Sequence, residues 1–166
     1  KLAGGHFDFT GEDDEVLAAV SRLAYPLTQL KKGAEAEKLL RHVMEVRQRR
    51  FGENHSGTLD AMNSLGQILL STNRLPEARK LVSTSLEGMR RTLGADDHKT
   101  LEAETWMLAL LTGEKRYAEA EPLARRNLEA TRRVYGNDHP DALSALGNLS
   151  QNLLSQNKVG PATSMM

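Results

Sequence analysis

The chain copies itself at a spacing of 42 residues, and that period restricts its fold more than any other feature. Phe51-Gly52, Leu93-Gly94 and Tyr135-Gly136 mark the period. Six residues past each Gly stand Thr58-Leu59, Thr100-Leu101 and Ala142-Leu143. Ala61, Ala103 and Ala145 follow in register, then Leu65, Met107 and Leu149, then Leu69, Leu111 and Leu153. Glu35-Ala36, Glu77-Ala78 and Glu119-Ala120 are one dipeptide met three times. Projecting the pattern backwards reaches Leu17, Ala19, Leu23, Leu27, Ala36 and Leu39. A fixed period of this length belongs to a unit that stacks on its neighbours instead of closing a core alone. The expected organisation is an entry segment over 1–9, then a repeat domain over 10–166. Its units are 10–51, 52–93, 94–135 and a partial 136–166.

Each unit reads as two helices. Leu59, Met62, Leu65 and Leu69 share one helical face, and Ala78, Leu81, Val82, Leu86 and Met89 share another. The breaks between paired helices fall at Lys32-Gly33, Thr72-Asn73-Arg74-Leu75-Pro76, Gly113-Glu114-Lys115 and Gln156-Asn157-Lys158. Pro76 suits the first turn of a helix, where its missing N–H costs nothing. The Gly opening each unit suits the left-handed residue that ends a helix. Leu occurs 26 times and Ala 18 times, against 8 Val and Ile together, a balance that favours helix over sheet. The expected fold is therefore all-α, a right-handed solenoid of stacked antiparallel helix pairs. Gly66, Ala78 and Ala120 stand where paired helices approach most closely.

Several function classes drop out. The chain has no Cys, which removes a disulfide framework, a thiolate nucleophile and Cys-ligated zinc. No apolar stretch is long enough to span a membrane. Lys and Arg number 22, as do Asp and Glu, so the zero net charge argues against a dedicated nucleic-acid binder. No Gly-rich phosphate loop and no nucleophile elbow occur, so no catalytic residue, metal or cofactor is assigned. The chain starts at Lys1 and reads as a piece of something longer. The cytoplasm is the expected compartment, with an organelle left open.

The pattern resembles the tetratricopeptide repeat. In that family small residues are set 12 apart, as Gly66 and Ala78 are. The 42-residue unit with a Gly-x-x-His-Pro-x-Thr-Leu loop resembles the kinesin-light-chain type. The run Gly136-Asn137-Asp138-His139-Pro140-Asp141-Ala142-Leu143 is close to that form. In the second unit Ser56 replaces the Pro, and in the third Asp97 takes the His position. The resemblance implies a protein-interaction module whose first helices line a concave face. Its ligand-facing positions would be Ser21, Tyr25 and Gln29, then Asp60, Asn63, Gln67, Leu70 and Ser71. Glu102, Thr105 and Ala109 continue the set, followed by Ser144, Gly147, Asn148 and Gln151. Trp106, the single Trp, flanks that row and is either a packing residue or a partner anchor. No Lys accompanies Asn63 and Gln67, so the family's clamp for a C-terminal carboxylate is not expected.

Asn63 and Gln67 also speak for themselves. They lie one turn apart, opposite the apolar stripe, and each amide offers a donor and an acceptor to a peptide backbone. The expected partner is a protein or peptide held in the groove. A structural subunit docked in a larger assembly, or the regulatory part of a larger signalling protein, are the alternatives. His55, His98 and His139 recur once per unit, but stacked helices hold them too far apart to share one ion, so loop capping is expected. Arg49, Arg91 and Arg133 recur in the last turns of second helices, where they complement the helix dipole. The loops after them carry Glu53, Asp96, Asp97 and Asp138 as candidate partners.

Overall fold

A computed structural model describes residues 14–157. The entry segment with Phe7 and Phe9, and the fourth-unit positions Val159 and Ala162, lie outside the described residues. Among the described residues the chain is helical throughout: α1 (Asp14–Arg22), α2 (Ala24–Gln29), α3 (Gly33–Phe51), α4 (Ser56–Ser71), α5 (Leu75–Thr92), α6 (His98–Gly113), α7 (Tyr117–Tyr135) and α8 (Pro140–Ser155). The starts of α4, α6 and α8 are 42 residues apart, and so are those of α3, α5 and α7. Consecutive helices pack on one another, while α1, α4, α6 and α8 touch in succession to form one layer.

The helix starts follow from capping chemistry. His55 and His139 Nδ1 accept the backbone N–H of Gly57 and Asp141, at 3.3 and 3.2 Å. Asp97 does the same work for α6, accepting from the Lys99 N–H at 2.9 Å. The His rings stack on Phe51 and Tyr135, with centroids 4.8 and 4.7 Å apart. The helix ends α3, α5 and α7 meet Gly52, Gly94 and Gly136, whose φ angles of 90°, 98° and 91° need no side chain in the way.

The turns inside the pairs share one backbone geometry. The left-handed residues are Lys31, Asn73, Lys115 and Asn157, again 42 apart, not Gly33 or Gly113. Lys32, Arg74 and Arg116 then return their N–H to the carbonyls of Leu27, Leu69 and Leu111, each at 2.8 Å. That six-to-one bond closes the end of a first helix, and it holds a β-carbon-bearing residue in a conformation glycine prefers.

The first helix of unit one also departs from the pattern. Its counterparts run unbroken for 16 residues, but here the helix breaks at Leu23 into α1 and α2. Pro26 supplies the reason: it has no N–H for the Arg22 carbonyl and its ring crowds that turn.

The core runs between helix pairs. Leu65, Leu69, Ala78 and Val82 join Ala36 and Leu40 from the preceding pair and Leu110 from the following one. A methyl added at Gly66 would collide with Val82 Cγ2, which confirms the close approach expected there. Gly88 is a second such point, where an added Cβ would lie 2.5 Å from Leu59 Cδ2. Two charged side chains occupy positions that are apolar or neutral in other units. Glu104, fully buried, stands where Met62 and Leu146 stand. Arg90 approaches it at 2.8 Å, Arg126 approaches the same oxygen, and Asn127 Nδ2 donates to the other at 3.3 Å. Arg47, equally buried, donates to the Gly57 carbonyl at 2.8 Å and pairs with Asp14 at 2.9 Å. A Cβ on Gly57 would lie 2.8 Å from Arg47 Cζ, so the guanidinium packs directly on the glycine and would have to shift for any larger residue.

The arginine row at the ends of the second helices folds back within its own unit. Arg133 pairs with Asp96 at 2.7 Å and Arg91 bonds Asn54, each 37 residues earlier. Arg91 and Arg133 thus reach the loop that opens their unit, not the loop that follows them. The expected pairing is corrected for that reason: an antiparallel partner brings a helix end back beside the start of its pair.

Candidate functional site

A groove of about 750 Å³ runs along α1, α2, α4 and the first turn of α6. Ser21, Tyr25 and Gln29 line one wall, Asp60, Asn63, Gln67 and Ser71 the floor, and Glu102 the far wall. They meet because α1–α2, α4 and α6 share one layer, so equivalent positions face the same side. Leu70, expected in the row, is half-buried and packs against the core instead. Thr105, Ser144, Asn148 and Gln151 are not among the groove residues. Thr105 returns its hydroxyl to the Leu101 carbonyl at 3.1 Å, and Gln151 Nε2 lies 3.4 Å from Ser155 Oγ. Trp106 is half-buried against the core around Leu65, with its indole N–H 3.4 Å from Glu102 Oε1. It is outside the groove lining and packs as a core-side residue.

The groove has two ends of different chemistry. Tyr25, Thr28, Gln29, Gln67 and Ser71 give one end hydroxyls, amides and an exposed ring. The Ser21 and Thr28 hydroxyls are already turned back to the Leu17 and Ala24 carbonyls, at 2.8 and 2.7 Å. At the other end Lys99 of α6 spans to Asp60 of α4 at 2.5 Å. Arg47 and His98 border the same end, with His98 Nδ1 3.2 Å from the Tyr135 hydroxyl. Burial pushes the Tyr135 hydroxyl above its ordinary titration range, and Asp141 and Asp97 add to that.

Asn63 is the exceptional floor residue. It is only 6% exposed, and its Oδ1 is buried without a hydrogen-bond partner. Buried amides are almost always paired, because leaving one unpaired costs about 1–3 kcal/mol. Arg47 Nε, at the same groove, is likewise buried and unpaired. Sequence reasoning missed Arg47, His98 and Lys99 as groove residues. Arg47 stands where Met89 and Thr131 stand in later units, and that change of character was the available signal. The three recurring His do not converge, and among the described residues no group of three His, Asp or Glu is placed to hold a metal.

A family model described as Tetratricopeptide repeat matches residues 15–91 and 99–165. No curated protein matches the sequence. Solved structures do match. The TPR-like repeats of a protein assigned as a kinesin light chain in Podosopora anserina superpose with a TM-score of 0.87 at 18% identity, covering 93% of this chain and 73% of that one. BtubC (BKLC) from P. vanneervenii superposes with a TM-score of 0.84 at 14% identity, covering 96% of this chain and 64% of that one. The chain therefore spans less than two thirds of BtubC, and at these identities the likeness is one of fold. Among the described residues no helix is long and apolar enough to cross a membrane.

Proposed function

The chain belongs to the tetratricopeptide repeat family, and from that premise we propose that its concave groove holds an extended peptide of a partner protein. Repeats of this kind are protein-interaction modules, and a non-catalytic role in such a module fits the groove's side chains. The observation that carries the reading is Asn63. Its side chain lines the groove one helical turn from Gln67, and the two amides offer donors and acceptors that suit a peptide backbone. The neutral amide and hydroxyl end would hold main chain, and the Asp60–Lys99 end would select among side chains.

A peptide array probed with the wild-type protein and with the Asn63→Ala, Gln67→Ala variant tests this. Removing an unpaired buried amide is close to neutral for folding, so the variant should keep its melting temperature. Its peptide signals should fall about tenfold or more. Undiminished binding in a folded variant would remove the groove from the account.

A further inference from the structure

The junctions between the groove helices are tied by two different devices. Arg47 reaches from α3 beneath the first junction, between α1 and α4, and is 3% exposed. One of its guanidinium nitrogens donates to the Gly57 carbonyl in the first turn of α4 at 2.8 Å. Another meets the carbonyl and the carboxylate of Asp14, in the first turn of α1, at 3.1 and 2.9 Å. The second junction, between α4 and α6, has Met89 in place of Arg47, packed among Leu59, Met62 and Ala103. Its tie lies on the groove side instead: Lys99, the counterpart of Gly57, pairs with Asp60, the counterpart of Ala18. The two devices do not combine, because any side chain at Gly57 would push the guanidinium aside. The third junction, between α6 and α8, has neither. Thr131 takes the arginine's position, and two acids, Glu102 and Asp141, take those of Asp60 and Lys99. Asp141 lies 3.7 Å from the capping His139 instead. The groove stops at this junction, with no α8 side chain in its lining.

The α1–α2 wall has little else to fix its distance from the floor. Its helices run for only nine and six residues, and each contributes a single buried residue, Leu17 and Ala24. On the reading that this groove holds an extended peptide, we propose that Arg47 is a positioning residue for that peptide. It sets the spacing between the wall that carries Tyr25 and Gln29 and the floor that carries Asn63 and Gln67. The Lys99–Asp60 pair sets the spacing between the floor and the far wall. A guanidinium suits the first task, because its planar fork of donors fixes two helices at once. Its burial keeps salt from screening the pair. A peptide that touches wall and floor together then binds a surface already in place, with no ordering cost for the wall.

Calorimetric titration of the full chain with a peptide selected on the array, alongside amide hydrogen exchange, tests this. Arg47→Met, which installs the residue of the second junction, should weaken binding about tenfold. It should speed exchange in α1 and leave α6 and α8 unchanged. Asp14→Asn, a milder cut, should show the same pattern at about threefold and serves where Arg47→Met does not fold. A general loss of stability would weaken binding whatever the wall carries. In a Tyr25→Ala, Gln29→Ala background, by contrast, either change should alter affinity less than about twofold. Moving the second device to the first junction, with Ala18→Asp, Arg47→Met and Gly57→Lys together, should bring affinity back to within about threefold of wild type. A loss of equal size when the wall is stripped overturns the proposal, as does a threefold exchange that restores α1 protection without restoring affinity. Binding that needs Asn63 and Gln67 but tolerates both Arg47→Met and Asp14→Asn overturns this inference alone. Binding indifferent to Asn63→Ala, Gln67→Ala overturns the groove reading and this inference with it.

Discussion

Glu104 shows how one residue can depart from a repeat and be paid for locally. Its counterparts Met62 and Leu146 are apolar, yet its carboxylate sits fully buried between the α5 and α7 arginines. Burying a charge is costly, and removing it strands its partners. Glu104→Gln should therefore cost about 3 kcal/mol in urea denaturation, near the lower end for a broken buried pair because both arginines reach solvent. Glu104→Leu, which removes both acceptor oxygens, should cost at least as much as Glu104→Gln, which keeps one. Gly66 is decided by space. Ala at that position gains helix propensity of about 1 kcal/mol but strikes Val82. A net loss of about 1–2 kcal/mol is expected from thermal melting.

Between helices the period made most elements legible, because Leu65, Leu69, Ala78 and their counterparts report the buried faces directly. What stayed hidden depends on reach and backbone angle. Gly33 and Gly113 advertised the turns, but Lys31 and Lys115 hold the positive φ, and a lysine carries no signal of that. Lys115→Gly should raise stability by about 1 kcal/mol, while Asn73→Gly should be nearly neutral, since Asn tolerates the left-handed region. The break at Leu23 was readable in Pro26 but masked by the otherwise perfect register of Leu17, Leu23 and Leu27.

Ion pairs also join one helix pair to the next. Glu37 accepts from Arg41 at 2.9 Å and Arg74 at 2.7 Å, and Glu77 pairs with the same two arginines. Burial pushes the Glu37 carboxyl up, but the two guanidiniums outweigh it and leave the pKa below the ordinary 4.5. The hydrogen bond from Arg41 does most to hold Glu77 below the same value. A carboxylate with a depressed folded pKa lends stability that is complete above its unfolded pKa and is lost as pH falls through the folded one. Acid titration of the melting temperature should therefore fall below about pH 4.5. A Glu37→Gln, Glu77→Gln variant should lose less over that interval and be less stable at neutral pH.

At the scale of the molecule, four stacked first helices make one inner layer, and the groove is the property of that layer rather than of any unit. Its floor residues on α4 follow from register alone. Arg47 and Lys99 do not, since one reaches in from a second helix and the other from a first turn. Peptide titration followed by backbone NMR shifts tests the groove most directly, using a peptide selected on the array. The account predicts that shifts cluster at Asp60, Asn63, Gln67 and Ser71 on α4 and at Ser21, Tyr25 and Gln29 across from them. Shifts gathered instead on the outer surfaces of α3, α5 and α7, with α4 unmoved, would contradict it.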